Sequence, residues 1–222
     1  MSEYLPLPAM TVEEYLLFEE RATRRHEYVA GRVYAMAGAT MRHNRIVGNL
    51  FARLWAAARG GPCQPYTESV KLRAGGDRIY YPDVLVLCGP HDLDGVLAAA
   101  PCLVAEVTSR STRRTDHEEK RDAYLQLPML QLYLVAEQAL RQVTRYWRDG
   151  EGGWRSETIT DDSAVVTIPC PELVLTLAEL YAGIELPPAR RHLRRVREGV
   201  PAGPGGADAA PDVGDVEDVE EA

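Results

Sequence analysis

The chain has 222 residues, of which 45% are hydrophobic and 26% charged, the composition of a soluble globular protein with room for one domain and a core. Its formal net charge of −8 counts against a surface coated with positive charge for nucleic-acid binding. No apolar run is long enough to span a membrane, and the N-terminus MSEYLPLPAM lacks the basic and apolar regions of a signal peptide. We therefore expect a cytoplasmic protein with no membrane partner.

The cysteines give no sign of a metal site or of a disulfide framework. Cys63, Cys88, Cys102 and Cys170 are scattered and form no C-x-x-C pair, which argues against zinc. Cys88 and Cys102 lie in apolar runs, so we expect them to be buried thiols. A disulfide scaffold is not expected at this chain length and cysteine count.

The composition divides the chain into a body, residues 1–186, and a tail, residues 187–222. The tail is rich in Pro, Gly, Ala and Asp and has no apolar periodicity, which predicts disorder. It begins with the arginine-rich run RRHLRRVR, and the stretch from Glu198 to Ala222 then contains acidic residues but no basic ones. The arginines would bind nucleic acid or the acidic stretch, or they form a solvated linker.

The first half of the body opens with a helix and a hairpin. Thr11 and Glu14 have capping-box spacing and predict a short helix. The alternating stretch HEYVAGRVYAMA predicts a β-hairpin that turns near Ala30–Gly31. Apolar residues recur at helical spacing between Thr40 and Arg59. Three predicted strands follow, at about 65–73, 80–88 and 102–108.

The second half continues with a helix over about 115–127, for which Thr115 and Glu118 have capping-box spacing, and a strand over about 130–136. A hairpin is predicted around Asp149–Gly153, then the strand AVVTIPC and a short helix that ends at Gly183. The order helix, three strands, helix, strand indicates an α/β (α+β) fold, with a central mixed β-sheet flanked by helices.

Two predicted strands carry acids where an apolar residue is expected. Asp83 follows Pro82 at the start of the apolar run VLVLC, and Glu106 interrupts the run CLVAEVTS. An ionised carboxylate in such a place is costly unless it is paired, hydrogen-bonded or bound to a cation. Asp83 could instead cap a turn, and Glu106 could pair with an arginine.

Lys120 is the third polar residue that breaks the pattern. It lies on the same helical stripe as Ala123, Tyr124 and Leu127, so its ammonium is expected to point towards the strand ends unless it extends to solvent. Two acids and a lysine brought together would suit Mg²⁺, which binds through one or two carboxylates and a substrate phosphate.

At these residues the sequence resembles the PD-(D/E)XK nuclease superfamily, and more closely its Uma-two branch of restriction endonucleases. Pro82 and Asp83 match the PD pair, Glu106 in AEVTSRST matches the second acid, and Lys120 and Tyr124 match a K-x-x-x-Y pattern on the next helix. The resemblance covers about residues 10–186. Position 108 is a threonine where the superfamily pattern has lysine, which implies that the lysine has moved to the helix as Lys120.

The resemblance implies a restriction-endonuclease-like fold, with an extra N-terminal hairpin and extra C-terminal strands, and a metal-dependent endonuclease that hydrolyses DNA. Asp83 and Glu106 would hold Mg²⁺, or Mn²⁺ in its place, and Lys120 would assist the attacking water. A catalytically silent DNA-binding or interaction module on the same fold is the alternative, and another phosphate ester is also open as substrate. Cutting both strands of a duplex often uses two symmetric sites, so a homodimer is a further expectation.

Several other residues are candidates for this site. Glu27 recurs in the branch's pattern and would complete the metal site, or it is a solvated strand residue. His43 lies on the apolar stripe of helix 40–59 and would face the site, although a hydrogen-bonded core histidine is an equal alternative. Arginines near the predicted site would contact phosphates, or they are ordinary surface residues. These are Arg110, Arg113, Arg114 and Arg121.

Overall fold

The fold is built around a seven-stranded mixed sheet. The computed structural model describes residues 8–109 and 112–186, together with the backbone of residues 3–4 and 196–198. The central sheet has the order β15-β12-β11-β10-β9-β7-β4, in which only β9 and β10 run parallel. Its strands are β4 (Cys63–Thr67), β7 (Val84–Cys88), β9 (Pro101–Thr108), β10 (Leu132–Glu137), β11 (Val143–Arg148), β12 (Trp154–Ile159) and β15 (Val196–Glu198).

Helices cover both faces of the central sheet. Helix α2 (Met41–Ala58) packs its buried stripe, which includes Leu50 and Leu54, on the face formed by Val84, Leu103 and their alternate neighbours. The opposite face is covered by one helical segment that comprises α3 (Arg113–Thr115), a π-helical turn (Asp116–Lys120) and α4 (Arg121–Tyr124). This arrangement confirms the predicted α+β fold.

A second sheet of six strands lies at the N-terminal side, with the order β1-β3-β2-β6-β5-β8. The predicted hairpin forms its centre, and the capping box of Thr11 and Glu14 begins the preceding helix as predicted. The elements of this part are β1 (Glu3–Tyr4), α1 (Val12–Arg21), β2 (His26–Val29), β3 (Arg32–Ala35), β5 (Lys71–Arg73), β6 (Arg78–Tyr80) and β8 (Leu97–Ala98).

Two strands predicted as single elements are each divided between the two sheets. The predicted strand 65–73 is β4 and β5, separated at Glu68 and Ser69, and the predicted strand 80–88 is β6 and β7, separated at Pro82 and Asp83. Apolar residues resume after each break, so the polar residues there look like local interruptions of one strand and do not by themselves reveal that the chain changes sheet. Glu68 and Asp83 lie at the two points where the chain passes from one sheet to the other.

The ends of some elements also differ from the predictions. The predicted capping box of Thr115 is absent, since Thr115 is already helical and its side chain makes no cap hydrogen bond. Thr112 precedes the helix instead, and its hydroxyl accepts a hydrogen bond from the Ser109 N–H. A C-terminal hairpin, β13 (Val165–Pro169) with β14 (Glu172–Thr176), precedes α5 (Leu177–Leu180), and β14 was not predicted.

The expectation of free thiols is wrong, because the four cysteines form two disulfides. Cys63 lies directly opposite Cys88 on β4 and β7 and is bonded to it, and Cys102 is bonded to Cys170. The first pairing follows from the adjacency of β4 and β7, and the second from the packing of the turn after β13 against β9, so neither is visible in cysteine spacing. Among the described residues no helix has the length and apolar character needed to cross a membrane.

The predicted tail, residues 187–222, falls almost wholly outside the described residues. Only the backbone of Val196–Glu198 is described, and it pairs antiparallel with β12 at the edge of the central sheet. The division into a body of residues 1–186 and a disordered tail stays a prediction.

Candidate active site

The centre of the candidate site is the buried ammonium of Lys120. Its Nζ lies 2.9 Å from Glu27 Oε1, 3.1 Å from Glu106 Oε1 and 3.6 Å from Asp116 Oδ1. The Lys120 side chain is only 8% exposed, so it does not extend to solvent. Lys120 therefore points inward, as predicted, and its ammonium is in direct contact with Glu27, a second-tier candidate.

The helical segment positions Lys120 through its π-helical turn. This turn spans Asp116–Lys120, so the acid and the lysine at its two ends both point towards the sheet. π-Helical turns are rare and occur frequently at functional sites. Tyr133 fixes the start of the turn by donating a hydrogen bond from its hydroxyl to the Asp116 carbonyl, 2.8 Å away. Sequence analysis missed Asp116, although its position four residues before Lys120 on a helix was a usable signal.

Glu106 is buried on the sheet face that this helical segment covers. Its Oε1 accepts hydrogen bonds from Lys120 Nζ and from the Tyr124 hydroxyl, which is 2.9 Å away. The K-x-x-x-Y pattern therefore has a physical meaning in this chain, because Lys120 and Tyr124 both donate a hydrogen bond to the same carboxylate oxygen of Glu106. The partners of Glu106 are thus a lysine and a tyrosine, and not the arginine of the alternative interpretation.

The charges in this cluster shift pKa values strongly. Burial raises the pKa of Glu106 well above its usual value, because the nearby charges of Asp83, Asp116 and Glu27 add to the effect of burial and Lys120 only partly offsets it. For Lys120 burial acts to lower the pKa, but the surrounding carboxylates, led by Glu106, raise it well above its usual value. Lys120 therefore remains a cation at neutral pH.

Asp83 lies immediately before β7, on the strand next to that of Glu106. Because Val84 pairs with Ala105, the two acids occupy the same end of the β7–β9 ladder. Asp83 Oδ2 accepts a 2.6 Å hydrogen bond from the Val107 N–H and lies 3.1 Å from His43 Nε2. Burial lowers the pKa of His43, but its hydrogen bond to Asp83 and the nearby negative charges outweigh burial and raise it. His43, a second-tier candidate, thus contacts the site.

Glu68 is an acid of this site that sequence analysis missed. Ligand atoms of Glu68, Asp83 and His43 all lie within 4.8 Å of one another. Glu68 Oε1 is buried and has no hydrogen-bond partner among the described residues. The available signal was the polar triplet Thr-Glu-Ser in the middle of the predicted strand 65–73, which marks the break between β4 and β5.

The donor set fits a hard divalent cation. Three buried carboxylates contact the Lys120 ammonium and two partly buried ones lie nearby with His43, and such a surplus of negative charge is unfavourable unless a cation compensates it. Carboxylate oxygens are the preferred ligands of Mg²⁺ and Mn²⁺. The acids are Glu27, Glu68, Asp83, Glu106 and Asp116.

The arginines predicted to contact phosphates have carboxylate partners wherever they are described. Arg113 Nε lies 2.8 Å from Glu137, and Arg114 Nε lies 3.0 Å from Glu118. Arg121 donates from Nε to Asp122 at 2.7 Å. Arg110 lies outside the described residues.

Helix α2 presents a different set of arginines beside the site. Arg42 and Arg45 flank His43 in its first turns, and both are exposed. Within residues 8–109 and 112–186, neither has a carboxylate partner. The sequence contains no acidic residue between Glu27 and Glu68, so this stretch is basic within an acidic protein.

Comparison with known proteins identifies the family of the chain. The sequence matches the family Uma2, described as "Putative restriction endonuclease", over residues 12–178. The chain belongs to the Uma2 family. The similarity to known proteins extends to two relatives from Synechocystis sp., both described as uncharacterized proteins. One, slr1290, is 35% identical over 151 residues, which is 67% of this chain and 80% of the relative. The other, sll1609, is 31% identical over 161 residues, 71% of this chain and 91% of the relative.

A solved structure shares the fold. The crystal structure of "a putative nuclease belonging to DUF820" from Anabaena variabilis superimposes with a TM-score of 0.66 at 17% sequence identity. The match covers 78% of this chain and 98% of the other. The Uma2 chain described here therefore has a restriction-endonuclease-like architecture, as the PD-(D/E)XK resemblance implied.

Proposed function

We propose that this Uma2 protein is a metal-dependent endonuclease that hydrolyses DNA phosphodiester bonds. The observation that carries the proposal is the buried Lys120 ammonium, in contact with Glu106 and Glu27 at the same strand ends as Asp83. An acid before one central strand, a second acid within the next strand and a lysine from the following helix form the set that metal-dependent phosphodiester cleavage requires. The family description and the nuclease structural neighbour support the same reaction class.

Asp83 and Glu106 are the proposed ligands of Mg²⁺, with Mn²⁺ as the alternative ion. When bound, the metal would polarise the scissile phosphate and lower the pKa of a coordinated water. Asp83 is already held for this role, because the Val107 N–H and His43 fix its Oδ2. Glu106 Oε1, in contrast, already accepts hydrogen bonds from Lys120 and Tyr124.

Lys120 acts as a fixed positive charge in this proposal. Its raised pKa keeps it protonated at neutral pH, so it cannot accept a proton from water; it would instead orient the attacking water and offset negative charge that develops on the phosphate. Contacts with Glu27 and Asp116 hold the ammonium in place and restrict its movement towards solvent. The site is therefore organised before substrate arrives.

Duplex DNA is the proposed partner, and α2 is the surface best suited to it. Arg42 and Arg45 are exposed in the first turns of α2, and His43 of the same helix touches Asp83, so DNA that lies along this end of α2 would pass near the site. Arg42 and Arg45 have no carboxylate partner among the described residues, so they would break no ion pair when they bind a phosphate. Arg113, Arg114 and Arg121 would each have to break an existing ion pair. Cleavage of both strands would be served by a homodimer with two such sites, which light scattering of the purified protein would test.

Plasmid nicking tests the proposed reaction. With Mg²⁺ or Mn²⁺, wild-type protein is expected to nick supercoiled DNA, and Asp83→Ala and Lys120→Ala to lose roughly 100-fold or more of the rate. Glu118→Gln is the matched control, because Glu118 is an exposed acid on the same helical segment and its variant should keep the wild-type rate. Chelation of the metal should stop nicking by the wild type.

Equal residual activity in wild type, Asp83→Ala and Lys120→Ala would contradict the catalytic assignment. The alternative function, a silent DNA-binding or interaction module, is favoured by the net charge of −8, which suits weak and transient contact with DNA. It would be supported by metal-independent DNA binding with no nicking above the protein-free control.

A further inference from the structure

We infer that Glu68 is a metal ligand of this site, and that the ion lies between Glu68 and Asp83. This inference rests on the proposed function and changes the ligand set that the family resemblance implied. Ligand atoms of Glu68, Asp83 and His43 fall within 4.8 Å of one another. An octahedral ion with oxygen ligands at about 2.1 Å accepts donors separated by roughly 3 to 4 Å, so the three side chains are near enough for Mg²⁺ or Mn²⁺ to draw their ligand atoms together.

Glu106 is less well placed to be the second ligand. Among the described residues, no group of three or more candidate ligands within the same distance includes Glu106. Its Oε1 already accepts hydrogen bonds from Lys120 and Tyr124. Movement of this oxygen onto a metal would weaken both hydrogen bonds and leave the Lys120 charge less compensated.

Glu68, in contrast, has an oxygen available. Its Oε1 is buried and lacks a hydrogen-bond partner within the described part of the chain, which is an unfavourable state for a carboxylate. A cation beside Asp83 would satisfy this oxygen without breaking any contact of Glu68. His43 would remain the residue that positions Asp83, since its Nε2 lies 3.1 Å from Asp83 Oδ2.

The backbone around Glu68 is held in the geometry that this role needs. Glu68 has a φ of 27°, in the left-handed region that non-glycine residues rarely adopt. Its N–H donates to the Asp83 carbonyl at 3.2 Å, and its own carbonyl accepts from Arg25 Nη1 at 3.0 Å. The first of these bonds connects the turn after β4 directly to the residue that precedes β7, and the second fixes the same turn to Arg25.

Binding of Mn²⁺ to the full-length protein without DNA tests the inference. The dissociation constant is measured by depletion of the free-ion electron paramagnetic resonance signal. Glu68→Gln and Asp83→Asn should each weaken binding by about tenfold or more. Glu118→Gln, the exposed control, should bind as the wild type does. Thermal unfolding in chelator verifies that each variant is folded, and Glu68→Asn serves as a second variant because asparagine tolerates a positive φ.

Wild-type affinity in both folded Glu68 variants would overturn the inference, as would a wild type that binds no Mn²⁺. Weakened binding in Glu68→Gln supports it, whether or not Glu106→Gln also binds less tightly. Failure of the proposed function is a separate result: the wild type would bind Mn²⁺ through Glu68 and Asp83 but would not nick plasmid DNA. If the wild type nicks DNA and Glu68→Gln binds Mn²⁺ as tightly as the wild type, the proposed function stands and only the assignment of Glu68 as a ligand is wrong.

Discussion

Two buried polar clusters lie on either side of β2, and their charges are balanced differently. The Glu19 cluster consists of Glu19, His26 and Tyr81, and its single acid receives hydrogen bonds from the His26 N–H at 3.0 Å and the Tyr81 hydroxyl at 2.8 Å. His26 Nδ1 lies 2.9 Å from the other carboxylate oxygen. The Lys120 cluster, formed by Lys120, Glu27, Glu106 and Asp116, has three acids for one cation.

The difference distinguishes a cluster that stabilises the fold from the cluster that we propose to be functional. His26 and Glu27 are consecutive on β2, so their side chains point to opposite faces of the sheet. In the Glu19 cluster both carboxylate oxygens have partners, as expected of an acid that stabilises the fold. The Lys120 cluster has surplus negative charge, and Asp83 and Glu68 add to it nearby. If the site binds metal as proposed, the excess of acids over partners, and not the burial of acids, is the feature that marks it.

Removal of the Lys120 ammonium should have the largest effect on stability. Lys120→Met leaves three buried carboxylates without their counter-charge, so we expect the free energy of unfolding to fall by about 3–5 kcal/mol. Urea denaturation in the presence of chelator measures this. Arg114→Met is the control, because its ion pair is exposed and should contribute less than about 1 kcal/mol. A loss as small as the control's would show that the Lys120 cluster is not electrostatically coupled.

The Glu19 cluster should respond in stability and not in catalysis. Glu19→Gln keeps the shape of the side chain but mismatches its hydrogen bonds, at an expected cost of about 1–3 kcal/mol in unfolding free energy. The nicking rate per folded molecule should stay within about twofold of wild type, since the Glu19 cluster contacts no reacting atom. A rate loss comparable to that of Asp83→Ala would remove the distinction between the two clusters.

Within the site, Tyr124→Phe should have a smaller effect. It removes one hydrogen bond to Glu106, which we expect to lower the unfolding free energy by about 1 kcal/mol and to reduce nicking. Tyr133→Phe is matched to it, because it also removes one buried hydroxyl, whose hydrogen bond goes to the Asp116 backbone carbonyl. Similar nicking rates in the two variants would argue against a specific role for the Tyr124 contact.

The smallest effect on stability should come from the α2 arginines. Replacing Arg42 and Arg45 with alanine should leave the unfolding free energy within about 0.5 kcal/mol of wild type. The slope of log binding constant for DNA against log salt should become shallower by about 2, since two phosphate contacts are lost. Arg53→Ala on the same helix is the control, because Arg53 is paired with Glu179. An unchanged slope in the double variant would place the DNA elsewhere.

Much of the site could be predicted from polar residues that interrupt apolar patterns. Asp83, Glu106 and Lys120 stood out because buried strands and helix stripes exclude charge unless it has a partner. Glu27 and His43 were candidates with equally good structural alternatives, and the structure brings both to the site. Glu68 was missed because residues 65–73 were predicted as one strand, although the polar triplet that contains Glu68 marks a change of sheet. The predicted capping box at Thr115 was wrong because the helix begins earlier.

The sequence by itself determined the order of elements, the strands that form the core and the acids and lysine that do not belong there. These are local properties, since side-chain periodicity and the cost of burying charge are legible in a single segment. Tertiary structure decided which acids share one cation, which cysteines are bonded, and which arginines are already paired. Those outcomes depend on strand adjacency, on the crossing between two sheets and on contacts between residues far apart in the chain. Glu68 and Asp83 are connected by a backbone hydrogen bond between the two points where the chain passes from one sheet to the other. Sequence periodicity gives no sign of this bond.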